Sequence, residues 1–149
     1  MKFIVQKFGG TSLISEELRA RVAARVIDAR REGYCPVVVV SAIGRLGEPY
    51  ATDTLLSYAR DGKRELSVRD ADLLMACGEI VSGVVMAATI RKLGWPAVFL
   101  TGGQAGIITD GNHGEARIIR VEPGSVLKHA GDGKIVVVAG FQGVTEDGE

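Results

Sequence analysis

The sequence predicts one α/β domain built around a mainly parallel, buried sheet. Two runs, Pro36–Val40 and Ile135–Ala139, are continuously apolar rather than alternating, the pattern of strands covered on both faces. Glycine-rich turns follow predicted strands at Gly9-Gly10, at Gly102-Gly103 and over Gly140–Gly143. Open α/β sheets bind ligands at such carboxyl ends. A chain of 149 residues with 46% hydrophobic residues and 20 glycines suits one domain with a sizeable core and several tight strand–helix turns.

Taken in order, Phe3–Lys7 is the first strand. Ser15 caps the following helix, with Glu16 and Glu17 in the first turn, where the helix dipole favours negative charge. Leu18, Val22 and Val26 recur at four-residue steps, and Gly33 is the stop. With Pro36–Val40 this makes a right-handed βαβ unit. A loop from Ser41 to Thr54 leads into a short helix, Asp53 to about Arg60, ending near Gly62. Ser67 then caps a long helix running to about Leu93 and stopped by Gly94. It is apolar almost all round, which predicts a largely buried helix. Gly78 and Gly83 inside it each cost about 1 kcal/mol relative to alanine, so close backbone packing or a kink is expected there.

Pro96–Leu100 is the third strand, followed by the Thr101–Gly106 turn. Ile107–Thr109 and Arg117–Val121 form a short strand pair around Asp110-Gly111-Asn112-His113-Gly114, with His113 as a turn residue or, alternatively, a ligand-binding or catalytic one. Pro123 opens a short helix through Lys128, and His129 suits its C-terminal dipole. Ile135–Ala139 is the fourth buried strand. The last residues, Thr145–Glu149, carry an Asp-Gly hairpin signal with a strand expected after it, so a longer natural chain is expected.

Lys plus Arg and Asp plus Glu are balanced at 18 each, and aromatics are 5%, which argues against a nucleic-acid partner. The N-terminal apolar run is too short for a signal peptide, and no segment reaches the length of a membrane span without polar interruption, so no membrane partner and a cytoplasmic location are expected. Cys35 and Cys77 lack CxxC spacing and read as reduced thiols.

Two features carry chemistry. Gln6-Lys7-Phe8-Gly9-Gly10-Thr11-Ser12 reads as strand, glycine turn and helix start, a geometry that holds an anion on backbone N–H groups, although it also serves as a plain turn. Lys7 adds a full positive charge there. Glu79 lies in the middle of the apolar helix, and a buried carboxylate is costly unless paired. Its partner is either a structural cation, Lys7 or an arginine, or the ammonium or cation of a ligand.

Lys7-Phe8-Gly9-Gly10-Thr11-Ser12, Val39-Val40-Ser41-Ala42, Thr52-Asp53, Cys77-Gly78-Glu79 and Ala139-Gly140-Phe141-Gln142-Gly143 together resemble the aspartokinases of the amino-acid kinase superfamily. The resemblance covers nearly the whole chain. It implies a three-layer sandwich with a mainly parallel central sheet, the amino-acid kinase (carbamate kinase-like) fold, here incomplete. It also implies phosphorylation of the L-aspartate β-carboxylate by ATP, the entry to lysine (through diaminopimelate), threonine and methionine. By resemblance Lys7 is the catalytic residue, and Lys7, Phe8, Gly9, Gly10 and Ser12 hold phosphate. Ser41, Thr52, Glu79, Gly140 and Phe141 bind substrate, and Mg²⁺ is carried by the nucleotide, with no metal ligands assigned. Aspartokinases continue with an Arg-Gly-Gly-Ser-Asp segment, a nucleotide-binding half and ACT domains. Residues 1–149 are therefore expected to be the N-terminal portion of a catalytic domain, inactive or weakly active alone and self-associating through the surface left by the missing half. The alternatives are a non-catalytic phosphate or small-molecule module, one subunit of a split kinase, or a kinase of another acidic amino acid.

Overall fold

The computed structural model describes residues 1–60 and 66–149. A four-stranded parallel sheet forms its centre in the order β1-β2-β6-β3, from β1 (Lys2–Phe8), β2 (Tyr34–Val40), β3 (Ala97–Leu100) and β6 (Ile135–Ala139). Between β3 and β6 lie an antiparallel pair, β4 (Ile107–Thr109) with β5 (Ile118–Val121), and the short helix α4 (Gly124–Gly131). The other helices are α1 (Glu16–Arg31), α2 (Thr52–Ala59) and α3 (Val68–Lys92). Every predicted element is present, with ends shifted by a few residues. The predicted stop of the short helix at Gly62 lies outside the described residues.

The two continuously apolar runs became β2 and β6, the two interior strands, because only strands flanked on both sides and covered on both faces have no solvent side. Alternation reappears in three dimensions. Ile135 and Val137 of β6 pack with Val38, Val40 and the buried faces of α1 and α3, while Val136 and Val138 pack with Cys35, Leu100 and Ala130 on the α4 side. Helices on one face, sheet, and α4 on the other make three layers. The caps are as expected: Ser15 Oγ accepts from the Leu18 N–H at 3.2 Å and Ser67 Oγ from the Asp70 N–H at 3.1 Å. Cys35 and Cys77 are both free thiols.

One expectation about α3 is corrected. The helix is not largely buried: Leu73 is 53% and Val84 48% exposed, and with Cys77 and Ile80 they form an uncovered stripe. Only its opposite face, with Met86, Ala87 and Ile90, meets the sheet and α1. An apolar circumference sets what a helix tolerates, not how many neighbours it receives. By length and composition alone α3 is also apolar enough to cross a membrane. Its packing against β6, β3, α1 and α2, and its buried Glu79, make it the core helix of this domain.

The two helix glycines mark close approaches, as expected. A Cβ on Gly83 would meet the Phe99 ring at 2.1 Å, and one on Gly78 would meet Ala42 Cβ at 2.7 Å and the Tyr50 carbonyl oxygen at 2.8 Å. Backbone and Cβ atoms cannot swing aside as a flexible side chain would, so Gly78→Ala should be overpacked despite alanine's higher helix propensity. A net loss of about 1–2 kcal/mol is expected, lowering Tm by about 3–6 °C. Gly111→Ala, with no atom within 4 Å of the new Cβ, serves as the control and should leave Tm almost unchanged. Thermal denaturation of both variants checks this, and equal Tm values would contradict it.

Candidate active site

The carboxyl ends of β1, β2 and β6 open into a cavity of about 620 Å³. Gly10, Ser41, Thr52, Glu79 and Phe141 all line it, so residues far apart in sequence and selected from sequence motifs meet in one place. The β1 end is stitched to the β2 end: the Ser41 N–H donates to Phe8 O at 3.2 Å and the Gly44 N–H to Gly10 O at 3.2 Å. A 3-10 turn, Gly10–Leu13, follows, with the Ser12 N–H on Gly9 O at 3.0 Å.

The two glycines of this turn do different work. Neither has a positive φ. A Cβ on Gly10 would lie 2.1 Å from the Ala42 carbonyl oxygen, so glycine is required for the approach of the two strand ends. Gly9 has no neighbour within 4 Å of a Cβ position, which leaves open space beside the turn. Gly140 is likewise a contact residue. Its N–H donates to Val40 O at 2.8 Å and a Cβ would sit 2.9 Å from that oxygen. It lets β6 end close against β2 and does not itself line the cavity. Lys7, Phe8, Gly9 and Ser12 are also absent from the lining; Lys7 and Phe8 end β1, and Gly9 and Ser12 belong to the flanking turn.

Glu79 sits in the wall with 7% exposure. Its Oε1 accepts one hydrogen bond, from the Ala42 N–H at 3.3 Å, and among the described residues no cation pairs with it. Burial pushes its carboxyl above the usual carboxylate range, with the Ala42 N–H opposing that shift. The alternative of a structural ion pair with Lys7 is not what forms. The Lys7 ammonium stands 5.0 Å from the centre of the Phe141 ring instead. Phe141 itself has φ 56 and is 87% exposed, a left-handed backbone and a bare aromatic ring at the end of β6. Such strain in a non-glycine residue clusters at functional sites. Thr52 opens α2, and Thr54 behind it accepts from the Gly47 N–H at 2.9 Å, pinning the Ser41–Ala51 loop to that helix.

Several lining residues were not singled out from sequence. Arg69, Asp72, Leu73 and Ala76 lead along one face of α3 to Glu79, which the sequence did single out. Their spacing of three and four was visible, but the apolar character of the helix obscured it. Gln142, in the glycine-rich turn after β6, also lines the cavity. Its Nε2 donates to Ala76 O and its Oε1 accepts from the Gly102 N–H, each at 3.5 Å, tying the β6 and β3 turns to α3.

A model of the amino acid kinase family matches residues 2–149. The chain belongs to the amino acid kinase family. This family member is 46% identical over all 149 residues to aspartokinase 1 of Bacillus subtilis (strain 168), covering 37% of that protein, and 46% identical to the aspartokinase of Geobacillus stearothermophilus, covering 35% of it. It thus spans about a third of the length of the curated relatives it matches. Among solved structures, aspartate kinase from Synechocystis superposes with a TM-score of 0.73 at 37% identity, over 95% of this chain and 22% of that one. E. coli aspartokinase III in complex with aspartate and ADP gives a TM-score of 0.79 at 18% identity, over 100% of this chain and 42% of that one, a likeness of fold.

Proposed function

We propose that residues 1–149 supply the amino-acid side of an aspartate kinase, which transfers the γ-phosphoryl group of ATP to the β-carboxylate of L-aspartate. The observation that carries this reading is Glu79: a buried carboxylate with no cation paired to it among the described residues, in the wall of a cavity shared with Ser41 and Thr52. An α-ammonium group supplies the missing charge and makes ionisation of Glu79 favourable. Ser41 and Thr52 offer hydroxyls to the substrate carboxylates, which leaves the β-carboxylate directed toward the Gly9–Ser12 turn. In the reaction a β-carboxylate oxygen forms a bond to the γ-phosphorus as the bond to the ADP oxygen breaks, giving 4-phospho-L-aspartate and ADP. Phosphoryl transfer needs alignment and charge neutralisation more than covalent help. The exposed Lys7 ammonium can leave the Phe141 ring to meet the transferring phosphoryl, and the open space at Gly9 admits its oxygens. Phe8, Gly10 and Ser12 complete the phosphate-holding stretch, Phe141 borders the substrate, and Gly140 seats the β6 end against β2 beside it. Mg²⁺ enters on the nucleotide phosphates and neutralises their charge. The setting is that of a cytoplasmic biosynthetic enzyme.

The relatives are about three times longer, which supports a second, nucleotide-holding half outside residues 1–149. The purified 149-residue chain should therefore give little or no ATP-dependent aspartyl hydroxamate, whereas the intact enzyme should give it with aspartate in preference to glutamate or acetylglutamate. Robust turnover by the short chain would overturn the half-site reading. Absence of turnover with aspartate by the intact enzyme would favour a binding module.

A further inference from the structure

Asp72 stands on the cavity face of α3, between Arg69 and Glu79. Its Oδ2 accepts from the Gly114 N–H at 2.8 Å and lies 3.3 Å from His113 Nδ1, partners 42 and 41 residues further along the chain. Both belong to the loop joining β4 to β5, and Asp110, His113, Gly114, Glu115 and Ala116 of that loop form part of the cavity wall. The loop's other hydrogen bonds, among the described residues, are internal. Asp110 Oδ1 accepts from the Asn112 and Arg117 N–H groups at 3.2 and 3.1 Å, and the Glu115 N–H reaches Asn112 O at 3.1 Å. They shape the loop without fixing it to the helix. Gly114 adds a second, independent sign of docking. It has φ +82, a left-handed backbone that favours glycine, and a Cβ on it would stand 2.9 Å from Val68 Cγ1, so a larger residue is strained there and crowds α3.

We propose that Asp72 is a positioning residue that latches the β4–β5 loop onto α3 and so sets one wall of the cavity around an acidic amino acid it does not touch. The latch also covers the Asp72 charge with the Gly114 N–H and the adjacent His113 ring, so that this carboxylate is not presented bare to a substrate carrying carboxylates of its own. The ligand half of this inference rests on the aspartate reading above; the latch does not.

Two measurements separate them. In the purified chain, hydrogen exchange across residues 110–117 should quicken about tenfold in Asp72→Ala, the loss expected for a charge-assisted hydrogen bond. In the intact enzyme Asp72→Ala should raise the KM for aspartate about fivefold with kcat within about twofold. Asp72→Asn, which keeps an oxygen for the Gly114 N–H, should recover most of both. Gly114→Ala, which pushes the loop from Val68 by a different route, should reproduce the alanine phenotype. Unchanged exchange in Asp72→Ala overturns the latch. Faster exchange with an unchanged aspartate KM overturns the positioning role. An intact wild-type enzyme that does not phosphorylate aspartate removes the aspartate reading instead, and exchange then decides the latch by itself.

Discussion

Lys7→Met is expected to lower kcat of the intact enzyme by about 10³-fold while leaving the fold intact. The size follows from the role. A cation directed at charge that develops on a transferring phosphoryl is worth about 10³-fold or more, because it acts mainly in the transition state. The expected integrity of the fold follows from geometry. Lys7 is exposed at the end of an edge strand, its side chain makes no hydrogen bond or ion pair among the described residues, and the Phe141 ring at 5.0 Å gives a solvent-exposed cation–π pair worth about 0.5–1 kcal/mol. Tm should therefore fall by no more than about 3 °C. The aspartate KM should change little, since Lys7 is not among the residues lining the cavity. Steady-state kinetics beside a melting curve make the check, and kcat retained within tenfold would remove Lys7 from the phosphoryl site.

The second large effect concerns Glu79 and has opposite signs in activity and stability. Glu79→Gln keeps an oxygen for the Ala42 N–H but removes the charge that an ammonium group requires. Losing one partner of a buried charge pair costs about 3 kcal/mol, so kcat/KM for aspartate should fall about 10²-fold or more. The unliganded chain should gain stability. Burial raises the Glu79 pKa in the folded state above its unfolded value. Stability from this group is therefore fully present below the unfolded carboxylate pKa and is lost as pH rises through the raised folded value. At neutral pH, above the unfolded value, the wild type bears the cost of burying this ionisable group, which glutamine does not. Tm of Glu79→Gln should exceed that of wild type near pH 7, and the difference should close as pH falls below the ordinary carboxylate range. Aspartate affinity in the wild type should weaken over the same acid descent, because protonated Glu79 no longer attracts an ammonium group. A glutamine variant that is less stable at pH 7 would show that Glu79 serves the fold rather than a ligand. Function here is held at some expense of stability, which is common at sites that bury a charge for a ligand.

The elements and their order were legible in the amino-acid sequence. Valine runs without alternation, serine caps and glycine stops are local signals, read from a residue and its near neighbours. The parallel central sheet followed from them, because a strand, a helix and a second, fully apolar strand in this spacing leave little choice of hand or direction. The site motifs were legible for a related reason: Gly9-Gly10, Ser41 and Gly140-Phe141 sit at or beside strand ends, and Gly78-Glu79 interrupts the apolar middle of α3.

Which of those motif residues face one cavity was decided by packing between elements. Gly10 and Gly140 look alike in sequence, as glycines just past strand ends. Yet Gly10 lines the cavity while closing against Ala42, and Gly140 is used up in its contact with Val40. The partner of Lys7 was decided in the same way, since Phe141 reaches it only through the β1-β2-β6 sheet order. So was the uncovered stripe Leu73–Val84, because hydrophobicity is a property of a residue whereas burial depends on the arrival of a neighbour. The Asp72 latch joins an acidic residue of one helix to a backbone N–H 42 residues later. A backbone donor leaves no trace in residue type, and only the folded chain brings it to the carboxylate.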